Sequence, residues 1–191
     1  MARLSKDEIQ LKIRDAVVDT VVKNGAGAAS VGEIAKHARV SAGTIYLHYE
    51  NKEDMLQKVY LQVKTEFHAL MMASKTEQSS EAMIKRMWFD MFAFAEAHPL
   101  DFQFIEDAGM VSTLTLNQRK QVTAMGSEIN DLVQRSIDDR TLDEMPVPVA
   151  VNLLIGPALL LAKKRASGGS GASRDVVDQT FERVWRAVAG G

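Results

Sequence analysis

The chain has 191 residues, 46% apolar and 25% charged, with a formal net charge of −2, a balance that marks an ordinary globular protein and argues against disorder. It contains no cysteine, which excludes disulfides, thiol catalysis and cysteine-ligated zinc together and fits a reducing cytosol. No signal peptide is visible, and the longest apolar run, residues 147–162, is 16 residues interrupted by Asn152, Gly156 and Pro157, short of the roughly 18 needed to span a bilayer. A cytoplasmic location is expected. Charge is uneven: residues 1–52 hold eight Lys and Arg against six acids, the remainder 15 against 19, so a modest basic excess lies near the amino end. Arg3 and Lys6 are expected on a free basic arm.

The first helix is carried by Ile9, Ile13, Ala16, Val17, Thr20 and Val21, a one-sided stripe ending at the glycines of residues 25–27. Next comes SVGEIAKHARVSAGTIYLHYENK, residues 30–52. Ser30 and Glu33 have the Ser-x-x-Glu spacing of a capping box, so a helix begins at Val31, with Val31, Ile34, Ala35 and Ala38 at helical spacing. Ser41 is a second N-cap only a few residues on, so two short helices must cross steeply. In the second, Ile45 and Tyr49 face inward, which leaves Ala42, Gly43, Thr44, Tyr46, Leu47 and His48 outward or flanking.

Small residues at an exposed helix start cost stability, Gly being about 1 kcal/mol worse than Ala there, but they let a backbone approach a partner closely. A DNA major groove is such a partner: it admits one helix whose first residues meet base edges. Thr44, Tyr46 and His48 suit contacts to phosphates or thymine methyls. Asn51 caps a third helix, and Lys52 in its first turn opposes the macrodipole unless a phosphate lies near.

The stretch GTIYLHYENKEDML resembles the recognition helix and following helix start of the TetR family of transcriptional regulators, a likeness specific over residues 9–60. The resemblance implies a three-helix DNA-binding domain, residues 1–51, on an all-helical ligand-binding and dimerisation domain, residues 52–191. It also implies repression relieved by a small molecule. By position, the family's DNA contacts fall on Ser30, Val31, Gly32, Ala42, Gly43, Thr44, Tyr46, Leu47, His48 and Lys52. One departure stands out: Arg39 occupies a turn position usually held by Gly, where a left-handed non-Gly residue costs about 1–2 kcal/mol. Either the turn is reshaped or Arg39 contributes phosphate binding.

Further along, Leu56, Val59, Tyr60, Val63, Phe67, Leu70 and Met71 form a helical stripe from residue 52 to about 74 that joins both domains. Trp88, Met91, Phe92 and Ala95 continue the pattern until His98-Pro99 closes that helix, and residues 100–107 make a short one. Helices over 116–138, 147–166 and 175–189 bring the expected count to nine in an all-α fold, with GGSGAS at 168–173 as a flexible loop. The helix over 147–166 is apolar almost all round, and the last buries Val177, Phe181, Val184, Trp185 and Val188. Pairing these eighth and ninth helices with their twins across a two-fold axis predicts a homodimer, with half-sites about 34–36 Å apart or more on a near-palindromic operator. The alternative is that the helix over 147–166 is simply a central core element.

Tyr60, Trp88, Met91, Phe92, Phe102, Ile105 and Asn152 are the candidate ligand-binding residues, in a chain with ten methionines that favour an adaptable apolar lining. A packed core has the same signature. Acidic groups near the aromatics, together with a weaker resemblance to the multidrug-responsive RamR-like branch of the family, point to a hydrophobic or cationic effector. No cofactor or metal site is expected: His37, His48, His68 and His98 are scattered without ligand spacing. GAGAAS at 25–30 follows a helix, not a strand, so it is no dinucleotide fingerprint. An enzyme is therefore not expected. The remaining rival is a DNA-binding activator or architectural protein without an inducer.

Overall fold

In a computed structural model, residues 5–168 and 173–190 are described, and these form ten α-helices and one 3-10 turn. The first helix, α1 (Lys6–Asn24), starts one residue after Ser5, whose hydroxyl accepts from the Glu8 amide while the Glu8 carboxylate accepts from the Ser5 amide. This full capping box places Lys6 in the first helical turn, not on the free arm expected from the sequence, and Arg3 lies outside the described residues. Helices α2 (Val31–Ala38) and α3 (Ala42–Tyr46) follow, then the long α4 (Lys52–Met72) with the 3-10 turn Ala73–Thr76 behind it.

The chain continues as α5 (Ser80–Ala97), α6 (Pro99–Ile105), α7 (Ala108–Thr113), α8 (Leu116–Asp138), α9 (Val147–Ala166) and α10 (Arg174–Val188). Helix α7 is the element beyond the nine expected; six residues without a sustained stripe leave no periodic signal to detect. Its start is set by Asp107, whose carboxylate accepts from the Gly109 amide at 2.6 Å. The expected loop at 168–173 falls mostly on residues 169–172, outside those described.

Two compact units emerge: the chain up to Lys64 together with Gln103–Arg119, and Thr65–Phe102 together with the chain from Lys120 on. Against the expected boundary after residue 51, this grouping adds residues 52–64 of α4, the end of α6, α7 and the start of α8 to the helix-turn-helix. In the first unit Ile13, Val17, Ile34, Ile45, Met55, Tyr60, Phe104 and Met110 are all but fully buried. In the second, α5 packs on α9 and α9 on α10, around Met83, Ile84, Leu132, Val133, Leu142, Ala150, Leu154 and Val188.

By length and composition alone α9, at 20 residues, is apolar enough to cross a membrane, more than the interrupted 16-residue run suggested. Burial of Ala150, Leu154, Ala158, Leu161, Ala162 and Ala166 is that of a helix with one face in a protein core. Its other face is open: Val149, Leu153 and Leu160 are 46%, 40% and 57% exposed.

Candidate nucleic-acid interface

The geometry begins at α2. Ser30 accepts from the Glu33 amide at 3.2 Å, but the Glu33 carboxylate takes the Asn24 side-chain amide at 2.8 Å. The expected capping box is thus half formed, with Glu33 tying α2 to the end of α1. At the other end Arg39 adopts φ 57° and ψ 43°. Val40 N–H donates to Ala35 O at 3.0 Å and Arg39 N–H to Lys36 O at 3.2 Å, the two bonds of a Schellman stop. The turn is therefore not reshaped: Arg39 takes the left-handed conformation itself and keeps its side chain exposed.

Ser41 accepts from the Thr44 amide at 3.0 Å and shares a 2.8 Å hydrogen bond with the Thr44 hydroxyl, which fixes the start of α3. Ile45, 1% exposed, and Tyr49, 8% exposed, anchor the segment inward as expected. The opposite face is open. Tyr46 is 55% and Leu47 83% exposed; Ala42, Gly43, Ser30 and Gly32 are exposed, and Val31, Thr44, His48 and Lys52 half-buried. All ten candidate DNA contacts lie in the first unit, around the α2 start, α3 and the α4 start.

Gly32 and Gly43 are the most telling of these. Neither has positive φ, a β-carbon on Gly32 would meet nothing within 4 Å, and one on Gly43 would meet only Ser41 Oγ at 3.6 Å. Among the described residues nothing requires glycine there, yet each costs about 1 kcal/mol against alanine.

The junction to α4 is tightly wired. Asp54 N–H donates to Asn51 Oδ1 at 2.8 Å, and Glu50 N–H donates to Asp54 Oδ2 at 3.0 Å, so Asn51 is the cap expected. Burial pushes the Asp54 carboxyl up, but its bonds from Lys58 and the Glu50 amide outweigh this and hold it below the ordinary value. The Lys58 ammonium also lies 6.0 Å from the Tyr49 ring centroid, locking the end of the reading segment to α4. This link was missed in the sequence, although the Asp54 to Lys58 spacing of four advertises an ion pair. Lys52 Nζ donates to Gly27 O at 3.1 Å.

The candidate ligand residues divide between the units. In the first, Tyr60 is 1% exposed, its hydroxyl donates to Ile105 O at 3.4 Å, and its ring meets Phe104 edge-on at 6.0 Å. Burial, with a smaller contribution from Glu106, pushes its phenol up to about 12. In the second unit Trp88, Met91, Phe92 and Phe102 are buried. Trp88 packs at 6.0 Å on Phe92 and 5.4 Å on Phe181, with its indole N–H buried and without a hydrogen-bond partner. Asn152 is exposed on α9 beside Leu153, a setting that suits a partner surface better than an enclosed lining.

A short capped helix pair with an open outer face is the arrangement of helix-turn-helix regulators. The profile of the bacterial regulatory proteins, tetR family, matches residues 13–59, a segment that runs from within α1 through α2 and α3 into α4. It is 40% identical over 57 residues to the fatty acid metabolism regulator protein of Bacillus subtilis, a stretch covering 30% of this chain and 29% of that protein. A TetR family transcription regulator from Marinobacter aquaeolei VT8 superposes with a TM-score of 0.84 at 22% identity, over 97% of both chains. The transcriptional regulator FadR of Bacillus subtilis, solved in complex with stearoyl-CoA, superposes at 0.69 with 20% identity, over 92% of this chain and 95% of that one. These superpositions bear on fold.

Proposed function

We propose that this protein is a cytoplasmic, homodimeric transcriptional repressor whose α3 helices read a near-palindromic operator, and which a small hydrophobic or cationic molecule releases. The observation that carries the DNA-reading part is the pair of exposed glycines, Gly32 and Gly43, with no internal neighbour to accommodate. Their cost is offset if something outside the chain comes close to the backbone, as a DNA groove does. Ser30, Val31, Ala42, Thr44, Tyr46, Leu47, His48 and Lys52 surround them as base or phosphate contacts. Lys52 reaches a phosphate by exchanging its bond to Gly27 O.

Dimerisation is supported by Val149, Leu153, Gly156 and Leu160, which repeat at helical spacing along the open face of α9, with Val176 on α10 39% exposed. Two such stripes crossing their twins bury one another in an isologous interface. Release follows if the effector binds one orientation of α4 better than another, since that helix belongs to both units. Coupling of about 1–3 kcal/mol suffices. In the second unit the buried Trp88, Met91, Phe92 and Phe102 are the proposed effector-binding residues, and in the first unit Tyr60 and Ile105 are. Because the Bacillus subtilis FadR structure holds stearoyl-CoA, a long-chain acyl thioester is a second effector class beside hydrophobic cations.

Selection of bound fragments from a random duplex pool, followed by titration with dyes, hydrophobic cations and long-chain acyl-CoA while Trp88 fluorescence is recorded, tests the proposal. A dyad-symmetric site and an effector that weakens it are expected. A selected site indifferent to every effector that perturbs Trp88 leaves a regulator or architectural protein without inducer; no selected site removes the DNA-binding reading altogether.

A further inference from the structure

The unit that holds the reading helix also holds Gln103–Arg119, a segment far away in sequence, and several bonds to it run from side-chain donors to backbone carbonyls. Gln57 Nε2 donates to Thr113 O at 2.8 Å, and Tyr60, one turn further along α4, donates its hydroxyl to Ile105 O. Gln57 and Tyr60 are spaced i, i+3, so they project from one face of α4. From the other side Arg119, at the start of α8, donates Nε to Leu114 O at 3.0 Å and Nη2 to Ser112 O at 3.0 Å. Three successive carbonyls at the end of α7, those of Ser112, Thr113 and Leu114, are thereby held by two side chains from two other helices. Terminal carbonyls of a helix lack intrahelical partners, and here α4 and α8 provide them. Met110 and Leu114, at 0% and 3% exposure, bury the apolar side of the same segment.

Backbone-directed bonds of this kind are sensitive to register. A shift of α7 by a fraction of a turn withdraws all three carbonyls from their donors at once, so the arrangement is held or released as a unit. Its α4 partner, Gln57, lies one residue from Lys58, which contacts the Tyr49 ring at the end of the reading segment. We propose that Gln57 and Arg119 are positioning residues: they form a latch across the carboxyl end of α7 that holds α4, and through the Lys58 to Tyr49 contact the reading segment, in the orientation that binds DNA. This rests on the DNA-reading function proposed above and deepens it by naming residues that set the orientation of its reading segment.

Linkage requires reciprocity, so a latch that favours the DNA-binding orientation must in turn be favoured by bound DNA. Amide hydrogen exchange of the full-length protein, with and without a duplex recovered by selection, measures this with no knowledge of the effector. In the wild type, saturating duplex is expected to slow exchange at least about threefold both at residues 42–48 and at residues 105–116. In Gln57→Met, and separately in Arg119→Met, which keep apolar bulk and lose the donors, residues 42–48 remain protected while the response at 105–116 is lost. Thermal melts identify any variant that fails to fold, and the wild-type measurement stands alone if both do. Protection at 42–48 without slowing at 105–116 in the wild type overturns the latch and leaves DNA reading intact, as does a full response at 105–116 in both folded variants. Failure of any duplex to bind overturns both proposals together.

Discussion

The reading face of α3 and the open face of α9 both expose apolar side chains, but they differ in pattern. On α3 Tyr46 and Leu47 stand among alanine, glycine, threonine and histidine on a helix of five residues, Ala42–Tyr46. On α9 Val149, Leu153 and Leu160 run along a helix of 20 residues, Val147–Ala166, with no charged residue before Lys163. A small mixed face at the edge of a rigid unit suits a groove lined with polar edges and phosphates, whereas a long apolar stripe suits a copy of itself. The difference teaches that exposure alone does not define a binding surface; which residues share it, and over what length, decides the partner.

Charge introduced into each face separates the two. Leu160→Asp places an unpaired carboxylate within the apolar stripe, and the dimer dissociation constant is expected to rise at least about 100-fold, as sedimentation at graded concentrations would record. An unchanged dimer would move the interface off α9. Gly43→Ala sharpens the comparison from the other side, because its two effects have opposite signs. The protein gains about 0.5–1 kcal/mol of stability by removing a helical glycine, while selected-duplex affinity falls about tenfold, or 1.4 kcal/mol, as a methyl group meets the groove. Denaturant melts and binding isotherms on the same preparation give both numbers; a variant more stable and equally tight would remove the close approach.

A smaller effect belongs to the interior behind the reading face. The folded-state pKa of Tyr60 is raised from 10.0 to about 12 by burial and then by Glu106. The unfolded chain therefore releases that proton first as pH rises, so stability is full below pH 10 and declines between about pH 10 and 12. Tyr60→Phe keeps the ring and removes this slope. Comparing urea melts at pH 9 and 11, the wild type is expected to lose about 1 kcal/mol more than the variant; parallel losses would contradict the burial argument.

Helix boundaries in the helix-turn-helix were legible because caps are local: Ser30, Ser41 and Asn51 each accept from the residue three further on. The stripes behind α4, α5 and α10 were legible because a helical period is sustained over several turns, and α9 was legible as a nearly continuous apolar run. The side-chain half of a cap is less so, since Glu33 had a choice between the Ser30 amide and Asn24, a residue on another helix. Lys6 looked like part of an arm until Ser5 and Glu8 closed the box around it. Helix α7 and the donors on its carbonyls left no trace, because a glutamine or arginine bonded to backbone has no partner residue in the sequence to pair with. The aromatic candidates were legible as buried, yet burial looks alike in a lining and in a core. The glycines were the converse case: their cost could be read at once, but only the open space around them shows that the fold does not need it met.

The central claim, that the outward face of α3 reads duplex DNA, is tested most directly by one paired titration. Selected duplex is added to wild type and to Tyr46→Ala at matched salt, with the melting temperature taken on the same preparations before duplex is added. Tyr46 is 55% exposed, so the account predicts an affinity loss of about 10- to 100-fold with a melting temperature within about 2 °C of wild type. Equal affinity for the two proteins would contradict it.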